Sequence, residues 1–193
     1  MTNQQLSEHI AEWQRIVQEG NDAYANRRYT EAELKFAAAL RIAEKAALPE
    51  ELAKVDAAEQ AAINSRLAKS LNNMAALYHT QGKYSMAEDL YKRCLELKQQ
   101  IHGDEHIEVA INLHNLAVLY SAKRRFEQAE PLYKQSLDLR ERLLGAEHPD
   151  LVTLLNNYAL CLKRMERVED AKAMEERAQK ISSKEQAITA SEA

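Results

Sequence analysis

Apolar residues along this chain recur at spacings of three, four and seven, the period of an amphipathic helix. The helical pattern itself repeats. Leu71, Leu113 and Leu155 fall 42 residues apart, and Ala75, Ala117 and Ala159 follow in the same register. Tyr78, Tyr120 and Leu162 align next, then Tyr84, Phe126 and Val168, then Ala87, Ala129 and Ala171. Tyr91 matches Tyr133, and Leu95 matches Leu137. Each unit divides into two amphipathic segments joined by a short polar turn, "QGK", "KRR" or "MER". Small Ala at one position and Tyr or Phe at another suit two helices that cross closely. "GDEH" (103–106) and "GAEHP" (145–149) separate the units. Gly103 and Gly145 stand where a helix C-terminus takes a left-handed residue, and Pro149 where a helix start tolerates proline.

An earlier unit is degenerate. Gly20, Tyr29, Ala32 and Phe36 align with Ala75, Tyr84, Ala87 and Tyr91 at an offset of 55, so an insertion separates the first two units. Between Pro49 and Gly82 there is no Gly or Pro. The spacing of Leu52, Val55, Ala62, Ile63, Leu67, Leu71 and Met74 predicts one helix from about residue 50 to 80, near 45 Å long at about 1.5 Å per residue. Pro131 falls just beyond the first turn of its helix, which is expected to continue to about Leu144. Residues 1–6 and 183–193 carry no recurring apolar face and are expected to fray.

Composition supports helices. The chain has 193 residues, 46% hydrophobic but only 6% aromatic, with 4 Gly and 3 Pro; its abundant Ala, Leu, Glu, Lys and Gln favour helix over strand. Lys and Arg number 26 against 30 Asp and Glu, a formal charge of -4. That balance argues against a nucleic-acid partner, whose binding rests on phosphate neutralisation. The first residues, "MTNQQLSEHIAEWQ", hold no basic and apolar signal pattern. No apolar run reaches the roughly 20 residues of a spanning helix. Cys94 and Cys161 lie far apart in apolar helical patterns and read as buried free thiols, with a disulfide or a reactive thiol as the lesser alternative. A cytoplasmic, membrane-independent protein is the expectation.

These residues resemble the tetratricopeptide (TPR) repeat: a small residue and an aromatic on helix A, an aromatic at the turn, and Ala plus an aromatic on helix B. The 42-residue form, with "NNxAxLY", "AExLYK" and "GxxHP", is similar to the kinesin light chain subfamily. The resemblance covers roughly residues 13 to 180. It implies an all-α fold, a right-handed α-solenoid of about four helix-turn-helix pairs. The units read as a lead-in at 1–12, unit 1 at 13–46, a helical insertion at 47–67 extending helix A of unit 2, unit 2 at 68–109, unit 3 at 110–151, unit 4 at 152–182 and a polar tail at 183–193. In unit 4, Leu162, Val168 and Glu175 replace aromatics, as suits a cap without a following neighbour.

Paired polar residues recur inside the apolar frame of each A helix: Asn72 and Asn73, His114 and Asn115, Asn156 and Asn157. Gln18 and Asn21 are weaker counterparts in unit 1. Helical geometry turns these positions away from the leucine and alanine of the stack. Each Asn costs about 0.6 kcal/mol against Ala, so five cost on the order of 3 kcal/mol out of a typical total near 5–15. Two offsets stand side by side. One is hydrogen bonding between repeats, worth about 1 kcal/mol net each. The other is a ligand, because an amide matches both C=O and N–H of an extended peptide backbone. The resemblance implies such a peptide groove lined by A helices. It does not extend to a carboxylate clamp: Asn21 and Asn73 fit, but Val17, Ile111 and Asn115 stand at other clamp positions and the basic partners are missing.

Basic residues gather at the A–B turns: Arg27 and Arg28, Lys83, Lys123, Arg124 and Arg125, Lys163 and Arg164. Exposed turns are usually just solvated; the sharper reading is attraction of an acidic peptide. "HGDEH" (His102, Asp104, Glu105, His106) has metal-binding atoms, but His148 recurs in the place of His106, so turn and capping roles account for both. No phosphate loop or nucleophile motif appears. The expected function is a protein-interaction module with no cofactor, a monomer or weak homo-oligomer, binding a peptide or protein segment. The rival is a structural or oligomerisation scaffold with no free groove.

Overall fold

Every helix pair closes with the same turn. In the computed structural model, Arg27, Gly82, Arg124 and Glu166 all have positive φ, of 58°, 73°, 57° and 62°. The next residue's N–H reaches five residues back at each: Arg28 to Ala23 O (2.8 Å), Lys83 to Tyr78 O (2.8 Å), Arg125 to Tyr120 O (2.8 Å) and Arg167 to Leu162 O (3.0 Å). This is the Schellman ending, which satisfies carbonyls that a helix C-terminus leaves open. These positions stand in the register inferred from the sequence, including the offset of 55 in the first unit. Only Gly82 is free of the left-handed penalty; the other three carry a Cβ in a conformation that costs about 1–2 kcal/mol.

The structure describes the backbone of residues 3–191 and the side chains of 8–186. Those residues form nine helices: α1 (Asn3–Ala25), α2 (Tyr29–Ala46), α3 (Pro49–Leu52), α4 (Ala57–Thr80), α5 (Tyr84–His102), α6 (Ile107–Ala122), α7 (Phe126–Leu144), α8 (Leu151–Arg164) and α9 (Val168–Ser191). The chain divides into two units, Met1–Ile101 and His102–Ala193.

In the first unit, α2 packs against both α1 and α4. Trp13, Ile16 and Val17 of α1 meet Ala39 and Ala43 of α2, while Ala23, Ala32, Phe36, Met74 and Leu77 form an adjoining cluster. Trp13 Nε1 donates to the buried Ser70 Oγ (2.9 Å), so the indole enters the core with its donor satisfied. Gly20 sits under Phe36; a Cβ there would lie 2.6 Å from the ring. The small-residue position of the repeat is thus a contact requirement between α1 and α2.

One expectation fails in this unit. The helix foreseen from 50 to 80 is two helices, with residues 53–56 between them. Asp56 leaves helical geometry (φ -74°, ψ 172°) and its Oδ1 accepts from Glu59 N at 2.8 Å. Asp with Glu three residues on is a local start signal, and it outcompetes the apolar periodicity running across it. The helical extension of unit 2 therefore covers 57–67, not 47–67, and α4 spans about 36 Å at 1.5 Å per residue.

In the second unit, α6 packs on α7, α7 on α8 and α8 on α9. The core joins Ala117, Tyr133, Leu137, Leu154, Leu155, Tyr158, Ala159, Ala171 and Ile181. Tyr133 and Tyr158 stack at 5.4 Å. Helix α7 passes through Pro131 unbroken to Leu144, as expected for a proline whose missing bond falls in the first turns. In the last pair, Val168 is 59% exposed, and Glu175 pairs with Lys163 at 2.5 Å. The segment from 183, read as a frayed tail, continues α9 to Ser191, and its Lys184 pairs with Glu147 at 2.7 Å. Helix α1 likewise begins at Asn3; the expectation for Met1 and Thr2, and for the last two residues, lies outside the described residues.

Candidate functional site

The recurring polar pairs do not share one environment. On α1, Gln18 is exposed and donates to Asp22 Oδ1 (2.9 Å), and Asn21 is half-buried. On α4, Asn72 and Asn73 are half-buried, and Asn73 Nδ2 is an enclosed donor with no partner among the described residues. On α6, Asn115 is half-buried but His114 is only 8% exposed. On α8, Asn156 is exposed and Asn157 half-buried. Asn157 Nδ2 lies 3.0 Å from His114 Nε2. That contact joins the A helices of two successive repeats, so the bonding between repeats holds for this pair. It also makes His114 part of the scaffold. Burial, and secondarily the Arg140 guanidinium, push His114 down to about 4. The ring is neutral at pH 7, and its Nε2 accepts the amide proton.

Around Asn157 the second unit opens a cavity of about 490 Å³. Val118, Phe126 and Leu160 give it apolar walls, and Arg124 and Arg164 reach it from the A–B turn and the end of α8. Leu160 is 55% exposed, so apolar surface is presented outward. Tyr133 and Cys161 also line it; both are buried, and burial raises Tyr133 to about 12 and shifts the Cys161 thiol up, so neither ionises near neutral pH. Cys94 and Cys161 are free, buried thiols, as read from the sequence.

Three of the basic turn residues are neutralised by neighbours. Arg28 pairs with Glu31 (2.7 Å), Lys83 with Glu33 (3.1 Å) and Lys163 with Glu175 (2.5 Å). Lys123 is half-buried and Arg125 exposed, and neither lines the cavity. Arg124 and Arg164 form no ion pair among the described residues, and they are the two cations that line this cavity. An amide, two uncompensated guanidinium groups and apolar walls can together hold an extended segment that carries carboxylates.

Five buried polar residues escaped the sequence reading: Ser70, Lys98, Asn112, Ser136 and Arg140. Asn112 is fully buried with neither amide atom bonded among the described residues. Ser136 Oγ donates to Ala110 O at 2.7 Å. Arg140, 7% exposed, donates from Nη1 to Asp150 O at 3.0 Å and so ties α7 to the start of α8. A signal for Arg140 was present: Lys98, 42 residues earlier, is also basic, and it too is buried. The stretch "HGDEH" behaves as a turn. His106 Nδ1 accepts from Glu108 N (3.2 Å), and His148 Nδ1 accepts from Asp150 N (3.2 Å) in the same way. Among the described residues no group of three or more His, Cys, Asp or Glu could hold a metal ion, and no helix is long and apolar enough to cross a membrane.

No curated protein matches the chain. Among solved structures, BtubC (BKLC) from P. vanneervenii is 24% identical, with a TM-score of 0.59, over 94% of this chain and 74% of that one. The nearly identical kinesin light chain TPR-like repeats of Podosopora anserina are 17% identical, with a TM-score of 0.58, over 91% of this chain and 97% of that one. At these identities the likeness speaks for the fold. The family model of the tetratricopeptide repeat matches residues 66–141 and 115–184. With helix pairs closed by one recurring turn at a 42-residue period, the chain belongs to the tetratricopeptide repeat family, an all-α repeat solenoid of the kind that serves as a general protein–protein interaction module.

Proposed function

We propose that the face of α6 and α8 around Asn157 binds an extended, acidic protein segment. The observation that carries this reading is the meeting of Arg124 and Arg164, neither held by a carboxylate among the described residues, with an amide and apolar walls in one cavity. Carboxylates of the segment face the two guanidinium groups, and its apolar residues cover Val118, Phe126 and Leu160. Asn115 and Asn156 supply the backbone-reading amides. His114, bonded to Asn157, holds that face in place. The test is a peptide array of extended acidic sequences against their Asn and Gln counterparts, at two salt concentrations. Acidic peptides should bind, more weakly at high salt, and Arg164→Glu should reduce affinity at least tenfold. Equal binding of the neutral peptides would sink the acidic reading. Asn115→Ala separates the amides' roles: lost affinity with unchanged unfolding marks recognition, and lost stability with unchanged affinity marks scaffold.

The scaffold reading has one observation of its own, the exposed Leu160 and Val168 on the last helix pair. Light scattering distinguishes it: a concentration-dependent oligomer abolished by Val168→Glu would assign that surface to self-association.

A further inference from the structure

The insertion between the first two helix pairs adds a short helix of its own, α3, to the connection. Helix α3 packs on α2. The turn after it is held from α4, where Gln60 Nε2 donates to Leu52 O (2.9 Å) and Val55 O (3.3 Å). Bounded by this ordered insertion, by the C-terminal half of α2 and by the N-terminal half of α1 is a cavity of about 460 Å³. Ile42 and Ala46 form its apolar wall, and Lys45 and Lys54 stand at its edge. A narrow recess shares His9, Ile42 and Ala46 with it and reaches Trp13 and Arg66.

Arg66 is the unusual member. It is half-buried, and while its carbonyl accepts from Ser70 Oγ at 2.9 Å, its guanidinium makes no hydrogen bond or ion pair among the described residues. Burial pushes its pKa down. The two acidic residues of the cavity are Glu12 on α1 and Glu51 on α3, and Lys54 holds Glu51 at 2.8 Å. A guanidinium drawn out of water without a counter-charge is costly. Its planar fork of donors matches a carboxylate or a phosphate group. We infer that this cavity and the recess it shares bind a small anion, a carboxylate or phosphate ester on a short apolar body, with the head on Arg66 in the recess and the body against Ile42 and Ala46. The site belongs to the first unit and is independent of the segment-binding face proposed for the second.

The chain's single tryptophan is Trp13, which lines the recess, so its fluorescence reports occupancy. The full chain is titrated with hexanoate, hexyl phosphate and hexanol, which share a tail and differ in the head. At least one anion should give a saturable change, and the one that does names the source of the ligand. Hexanol should bind at least tenfold more weakly. Arg66→Gln, with its helical circular dichroism retained, should weaken anion binding about tenfold or more. Arg66→Lys should fall between the two, keeping the charge but losing the fork. Silence of both anions, equal binding of hexanol, or unchanged affinity in folded Arg66→Gln would overturn the inference. The comparison of heads on the unaltered chain decides the matter by itself if Arg66→Gln does not fold.

Discussion

His114 offers a sharp test of the scaffold. The repeats on either side carry Asn72 and Asn156 at its position, so His114→Asn restores a residue type that the fold already accepts there. The histidine is 8% exposed, and burial with the Arg140 charge lowers it from 6.5 to about 4. Its folded pKa lies below the unfolded one, so the unfolded chain takes up the proton first as pH falls. Stability contributed by the neutral ring is intact above about pH 6.5, declines as the pH drops toward 4, and changes no further below that. At full separation the loss is about 3 kcal/mol, and at pH 5 it is about 2 kcal/mol. Protonation also removes the acceptor that Nε2 offers Asn157. The assay is urea unfolding of both proteins at pH 7.5 and pH 5.0. Carboxylates and other histidines titrate alike in the two, so they cancel in the difference. His114→Asn should cost about 1 kcal/mol at pH 7.5 through the altered bond. It should then lose about 2 kcal/mol less than the parent between the two pH values. Equal pH dependence would refute the placement of His114 as a buried, neutral acceptor.

Three further substitutions test the packing. Gly20→Ala gains about 1 kcal/mol of helix propensity, but its Cβ meets the Phe36 ring at 2.6 Å; overpacking of about 1–3 kcal/mol should outweigh the gain, giving a lower melting temperature. Asn112→Leu keeps the branched outline found at Leu154, removes two enclosed polar atoms without partners, and should raise unfolding free energy by about 1–3 kcal/mol. Asp56→Ala should cost about 1 kcal/mol and speed amide exchange at the start of α4, where Glu59 N loses its acceptor; unchanged exchange would deny the cap its role.

Local physics determined what the sequence could say. The 42-residue register, the helix pairs and their boundaries are properties of segments, written in the spacing of Leu71, Ala75 and Tyr78 and their later copies. Pro131 was readable as harmless because its missing bond falls near the helix start. The two helices in place of one at 50–80 were also a local matter: Asp56 and Glu59 spell a cap, but the continuous apolar period across them is the broader signal, and it hides the short one. Tertiary structure decided the chemistry of the site. Nothing in the helical period distinguishes His114 from Asn115, yet one is buried against Asn157 and the other is only half-buried. Spacing also treats Lys163 and Arg164 alike, whereas Glu175, a helix away, neutralises the first and leaves the second facing the cavity. Burial of Asn112 and Arg66 depends on what crosses them, 24 or more residues away in the chain for the Ile42 and Arg66 that share a recess. Periodicity reports which face of a helix is apolar. The identity of the neighbour that covers that face, and whether it brings a partner for a polar group, is settled only when the helices cross.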